Sequence, residues 1–373
     1  MNLAVITHIY PADSLSPQEI PGNFLPPFLR ELTRHDIAVR VLAPRVGDPD
    51  AFDPAIPIER FAGWGNARPL GALRLTDPRD AWRLVIFIWR GIRALNALIA
   101  RERIDAVLAC WAIPSGFIAS FATKPYVVWG LGTDIHTSPR NPLARLFVQR
   151  ALMHAHARYA NSYALVRIVK QLTGLNCALL SNMRPLPRDV PPADFPKDRM
   201  NLLVAARLEY VKGVDVLLDA LAHIPPPRPR VYIAGTGTLE NDLRAQIARL
   251  NLQDDVTFLG FLDARALAAA LRACDAVVIP SRAESVPMIF KEGACFRVPV
   301  VATDVGDLGN LVREFDAGLV VPPDNAPALA AALIEMQNAP RQQFTARLDE
   351  LAAQFDLARA AEKFAADLRA LGR

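Results

Sequence analysis

Long apolar runs, paired cysteines and metal-ligand spacings are scarce in this 373-residue chain. The most tempting hydrophobic stretch, Leu84 to Trp89, is six residues long and is closed by Arg90. A membrane span needs about 20 apolar residues, so no crossing helix is expected. The start of the chain, MNLAVITHIY, lacks a basic segment and a cleavage pattern, and it reads as a first β-strand rather than a signal peptide. The expected location is cytoplasmic, or peripheral on the inner face of a membrane. Four cysteines, Cys110, Cys177, Cys274 and Cys295, lie far apart with no CxxC pair, which argues against a zinc ribbon and a disulfide framework. Asp48-Pro49-Asp50 is formally a DxD, but its Pro/Asp setting reads as a turn. His154 and His156, two apart, fall on different helix faces. No metal and no cofactor is expected. Basic residues are not interleaved with aromatics in any nucleic-acid-binding motif, so no nucleic-acid partner is expected either.

What the chain does have is apolar content, 52%, with 21% charged residues, enough for substantial cores. Charge divides unevenly. Residues 1–182 hold 20 Lys+Arg against 13 Asp+Glu, and residues 183–373 hold 22 against 25. Two units with different partners are implied.

Short β-branched runs alternate with helical patterns throughout. Strands are expected at Leu3–Thr7, Ile37–Leu42, Ala106–Cys110, Tyr126–Trp129, Arg158–Ala160 and Cys177–Leu180, then at Leu202–Ala205, Val231–Ala234, Val256–Leu259, Ala276–Ile279, Val300–Ala302 and Leu319–Val321. Strands this apolar are covered on both faces, as parallel strands between helices are. The fold class predicted is α/β, with two Rossmann-like doubly wound parallel-sheet domains facing a central cleft. Residues 1–182 form the first domain. Residues 183–199, rich in proline, are the linker, since proline can continue neither a helix nor a central strand. Residues 200–350 form the second domain, and 351–373 an amphipathic helix crossing back to the first.

Three stretches carry chemistry. In AARLEYVKGVDVLLDAL (205–221), Arg207 and Lys212 flank the turn from a strand into a helix. Two cations beside helix N–H groups make a diphosphate cradle, and they are equally compatible with ordinary surface positions. In VYIAGTGTLENDL (231–243), Gly235 and Gly237 open a tight turn. The missing third glycine argues against a nicotinamide-dinucleotide site. In VVIPSRAESVPMIFKEGACFRVPVVATDVG (277–306), Glu284 follows a strand and Glu292 lies within the next helix, whose first turn would aim N–H groups at a phosphate. Two solvated carboxylates are the alternative.

Taken together and in order, these residues resemble the retaining GT-B glycosyltransferases of family 4, the bacterial glycosyl group 1 transferase type. The resemblance rests on Arg207-Leu208 with Lys212-Gly213, on Glu284 and Glu292 as E-x7-E, and on Pro299–Gly306. In the first half it rests on Gly22-Asn23-Phe24, Trp111–Gly116 and Gly132-Thr133-Asp134. It implies a hexose moved with retention from a UDP- or GDP-linked donor to a saccharide or lipid-linked acceptor in envelope or exopolysaccharide synthesis, without a metal. Arg207 and Lys212 would hold the diphosphate, Glu284 the transferred sugar and Glu292 the ribose. Gly22, Gly235, Gly237, Val286, Met288 and Ile289 would complete the donor site, with Asp134 and His136 at the acceptor side. Where many members have His, this chain has Leu131. The alternative function is a catalytically silent relative that binds a nucleotide sugar or scaffolds polysaccharide assembly. Finally, residues 79–103 carry six arginines with Trp82, Phe87 and Trp89. They read either as a helix covering the first sheet or as a contact with an anionic membrane.

Overall fold

The computed structural model describes residues 1–10, 22, 24–45, 56–63, 77–136 and 141–371. Asp48–Asp50 and Asn23 lie outside them, as does the side chain of His136. The chain divides into two compact units, Met1–Asn182 with Leu357–Arg373, and Met183–Asp356. The expected linker is therefore grouped with the second unit, which runs on to Asp356.

In the first unit the strands are β1 (Asn2–Ile6), β2 (Ala38–Pro44), β3 (Ile58–Phe61), β4 (Ala106–Cys110), β5 (Tyr126–Gly130), β6 (Ala157–Ala160) and β7 (Ala178–Leu179). They form one parallel sheet in the order β3-β2-β1-β4-β5-β6-β7. Every residue of β4 and β5 is buried, which is why both read as unbroken apolar runs. The edge strand β3, sequence IERF, is a strand the sequence reading lacked; among the described residues it pairs only with β2, and it exposes its charged residues in part. Helices α1 (Leu25–Arg34), α2 (Pro78–Arg101), the short α3 (Phe117–Ala119) and α4 (Thr133–His136), α5 (Pro142–Met153) and α6 (Tyr163–Thr173) follow the strands. Side-chain caps start several of them. Asp77 accepts from Arg79 N, Asn141 from Leu143 N and Ala144 N, and Ser162 from Leu165 N.

The second unit has β8 (Asn201–Ala205), β9 (Arg230–Ala234), β10 (Val256–Gly260), β11 (Ala276–Ile279), β12 (Val300–Thr303) and β13 (Gly318–Val321), all parallel, ordered β10-β9-β8-β11-β12-β13. Its helices are α7 (Val214–Ala222), α8 (Glu240–Arg249), α9 (Ala264–Ala273), α10 (Met288–Cys295), α11 (Leu308–Glu314), α12 (Ala326–Asn338) and α13 (Leu348–Gln354). The fold is α/β GT-B, two Rossmann-like parallel-sheet units.

Helix α14 (Leu357–Leu371) belongs to the first unit. Leu357, Ala361, Phe364, Ala365 and Leu368 fill the same apolar cluster as α1 and one face of the first sheet. Phe364 lies 5.7 Å from Phe28 and 5.2 Å from Tyr159, whose hydroxyl donates to Asp367 at 2.9 Å. The other face of that sheet is covered by α2, α3, α5 and α6. All four cysteines are free, and burial pushes the Cys274 thiol up to about 12.

Arg297 follows the C-cap of α10. Its φ is +55°, in the left-handed region. Its ion pair with Asp349, 3.4 Å long and exposed at both ends, offsets little of that strain. Arg297→Gly is therefore expected to stabilise the protein by about 0.5–1 kcal/mol. Thermal melting checks this, and a lowered midpoint contradicts it.

Candidate functional site

The second unit's sheet reverses its winding between β8 and β11, which are neighbours although β9 and β10 intervene in sequence. Loops leaving the carboxyl ends of such a strand pair diverge and open a crevice for a ligand. Lys212 follows β8 and Glu284 follows β11, and the structure brings them together. Lys212 Nζ donates to Glu284 Oε1, both side chains being largely buried. The turn that carries Lys212 is a 3₁₀ turn, Tyr210–Lys212, and Gly213 sits after it rather than inside the helix, as N-cap of α7 with φ +65°.

Two contacts lock this turn onto the β11 loop. Arg282 N donates to Val211 O at 2.8 Å. A Cβ on Gly213 would lie 2.0 Å from Pro280 O, so only glycine fits there. Arg282 itself was not foreseen from sequence. Its guanidinium grips both oxygens of Asp215 (2.9 and 2.7 Å), reaches Asp324 at 2.6 Å and covers the Tyr210 ring at 3.8 Å. The bidentate Asp215 pair raises its already high pKa further.

Arg207 is exposed in the loop after β8. Gly235 and Gly237 seat that loop. Cβ atoms there would meet Ala206 O at 1.9 Å and Leu208 O at 2.4 Å, while Leu208 N donates to Thr236 O at 2.9 Å. These glycines thus hold Arg207's backbone from behind. Val286 and Ile289 are buried members of the apolar cluster under the sheet, and Met288 is half-exposed at the start of α10. Val286 and Ile289 therefore support the site from its core side, and the start of α10 has no side-chain cap on its backbone N–H groups.

Glu292 is buried, and its Oε1 accepts from Arg184 Nε (3.2 Å) and Nη2 (3.0 Å). Arg184 lies in the proline-rich segment, where no sequence signal marked it. Beside Glu292, Lys291 is fully buried with its ammonium 5.3 Å from the Phe355 ring. Burial lowers its pKa to about 8, opposed by Glu292 and Glu284. Because the folded pKa lies below the unfolded one, the unfolded chain holds more protons between pH 8 and 10.5, and stability rises with pH across that window. Relative to Lys291→Met, the wild type is expected to gain about 3 kcal/mol from pH 7 to 10.5. Urea unfolding at both pH values measures it, and a pH-independent difference refutes it.

In the first unit, Asp134 is buried and its carboxylate is taken by the chain itself. Oδ2 accepts from Ala112 N (2.7 Å) and Oδ1 from Gly132 N (2.9 Å) and Leu131 N (3.2 Å). Asp134 ties the loops after β4 and β5 together. Gly22, with φ +107°, packs near Ile9 O and the Trp111 ring, beyond the carboxyl end of β1. His8 follows β1, its ring edge on Trp111 at 4.9 Å. Burial lowers its pKa to about 4, and Nδ1 has no hydrogen-bond partner among the described residues, so a neutral imidazole follows β1 at the first sheet's own winding reversal between β1 and β4. The sequence reading passed over His8 because a lone histidine after a strand carries no spacing signal. Leu131 packs against the apolar cluster.

Two family models match. Residues 188–354 match "Glycosyl transferases group 1", and residues 24–162 match "Glycosyl transferase 4-like". The chain belongs to the GT-B, group 1 glycosyltransferases. The alpha-D-kanosaminyltransferase of Streptomyces kanamyceticus is 31% identical over 181 residues, 47% of either chain. The chain thus spans about half the length of the curated relatives it matches. Among solved structures, sucrose-phosphate synthase from Thermosynechococcus elongatus superposes with a TM-score of 0.80 at 19% identity, covering 99% of this chain and 98% of that one. Anabaena HepE in complex with UDP superposes with 0.75 at 20% identity, covering 99% of both. At such identity these structures speak for the fold of this group 1 chain.

Proposed function

We propose that this chain is a nucleotide-sugar-dependent hexosyltransferase that moves a hexose, with retention, from a UDP- or GDP-linked donor to a saccharide or lipid-linked acceptor of envelope or exopolysaccharide synthesis. The observation that carries the reading is the Lys212–Glu284 pair at the winding reversal of the second sheet. A diphosphate entering there competes with Glu284 for the Lys212 ammonium. It frees a carboxylate for the hydroxyls of the transferred sugar. Arg207 adds a second cation, and the two neutralise charge that develops on the leaving diphosphate, often the largest catalytic contribution. Glu292, held by Arg184, accepts from the ribose hydroxyls, and the N–H groups at the start of α10 face a phosphate. HepE, described in complex with UDP and with UDP-glucose, supports a uridine donor.

The test is thermal-shift binding across UDP, GDP, ADP and their sugars, followed by nucleotide release with acceptor present. Stabilisation by one nucleotide family is expected, with turnover unchanged within about twofold by EDTA, because protein cations carry the diphosphate. Absence of stabilisation by every nucleotide at millimolar concentration refutes the reading. Leu131 and the fully engaged Asp134 favour one second reading, a silent nucleotide-sugar binder in polysaccharide assembly. It predicts binding without nucleotide release.

A further inference from the structure

Among the described residues, most of the exposed large hydrophobics cluster in one layer of the first unit. Trp82 (64% exposed), Val85 (57%) and Trp89 (53%) lie on α2, and Leu143, Leu146 and Met153 on α5, with Phe121 just after α3. Helices α2, α3 and α5 cover the same face of the first sheet, and α3 packs on both α2 and α5. A soluble surface scatters such residues singly; a cluster marks a contact.

On α2 the two sides separate cleanly. Phe87, Gly91, Leu95 and Leu98 face the core. Opposite them, at helical spacing, Trp82, Val85 and Trp89 share an arc with Arg79, Arg83, Arg90 and Arg93, all exposed. The Arg93 guanidinium lies 4.9 Å over Trp89, and Arg150 from α5 lies 4.5 Å over Phe121. Acidic residues are nearly absent: α5 has none, and the one on α2, Asp80, is buried and paired with Arg83 at 3.2 Å, which leaves Arg79, Arg90 and Arg93 without an acidic partner on either helix. A layer covering only a sheet needs neither two outward tryptophans nor a one-sign rim.

We propose that this α2–α5 face docks on an anionic lipid bilayer, the tryptophans and aliphatic side chains entering the headgroup boundary and the arginines pairing with lipid phosphates. Interfacial tryptophan with flanking arginine, and no helix among the described residues long and apolar enough to cross, fits a surface-lying contact. A protein partner would need acidic residues placed against these arginines; a bilayer supplies negative charge in any register. The proposal stands independently of the donor-site reading.

Co-sedimentation with vesicles tests it. The full chain is mixed with vesicles of phosphatidylcholine alone and with vesicles holding 30% phosphatidylglycerol. Binding to the anionic vesicles is expected to be at least about tenfold tighter and to weaken between 0.1 and 0.5 M salt. Arg90→Glu with Arg93→Glu is expected to lower it by at least about tenfold, and Trp82→Ser with Trp89→Ser similarly. These side chains are exposed, so melting and nucleotide stabilisation should stay as in the wild type. Equal binding to both vesicle types, or variants that bind as the wild type does, overturns the proposal. So does a lipid-free dimer in light scattering that the tryptophan variant abolishes, since the face would then join two copies of this chain.

Discussion

Lys212→Ala is expected to remove nucleotide stabilisation and to lower donor kcat/KM by about 100-fold or more. One charge-assisted contact to the leaving diphosphate contributes about 3 kcal/mol in the transition state. Among the described residues neither nearby arginine substitutes for it: Arg207 is on the exposed loop, and Arg282 is committed to Asp215 and Asp324. The same change strands Glu284, which is largely buried and paired with Lys212. An uncompensated carboxylate there costs about 1–3 kcal/mol of stability. Adding Glu284→Gln to Lys212→Ala should recover much of that stability and none of the donor binding, so calorimetry and kinetics separate the two effects. Wild-type affinity for nucleotide in the single variant would place the diphosphate elsewhere.

Gly213→Ala is expected to be the most damaging small substitution in the second unit, at about 2–4 kcal/mol. Alanine there takes a left-handed backbone, about 1 kcal/mol, and drives its methyl to 2.0 Å from Pro280 O. Neither backbone can retreat without breaking the Arg282 N to Val211 O bond that holds the Lys212 turn. Gly174 supplies the control. It caps α6 with φ +71° and has nothing within 4 Å of a Cβ, so Gly174→Ala should cost only the backbone strain, about 1 kcal/mol. Denaturant unfolding of the two variants measures the difference. Equal losses would mean that the Pro280 contact relaxes freely, and that the Lys212 turn is not fixed by it. Donor binding should fall with Gly213→Ala and remain with Gly174→Ala.

Both variants touch positions that sequence alone pointed to, while the reasons they matter come from contacts. The runs at β4, β5, β8 and β11 announced a parallel sheet because strands buried on both faces leave no polar position to break the run. Edge strand β3 stayed hidden because one open edge tolerates Glu59 and Arg60. The glycines at 235 and 237 were visible as a turn, but a phosphate-facing glycine and one pressed against Ala206 O look alike in sequence. Asp134 likewise matched a family position, and only the three N–H groups around it reveal that its carboxylate is already occupied.

By itself, then, the sequence determined the α/β alternation and the order of the buried strands, since each is written in local periodicity. Tertiary structure alone decided the rest. Arg184 reaches Glu292 from 108 positions away, and Lys291 is interior because α10 is buried on nearly every side. The outward tryptophans of α2 are identified only once the core claims the opposite stripe. Pairing across long separations and the side from which a helix is covered depend on what the fold brings alongside, and no local pattern of residues encodes that neighbour.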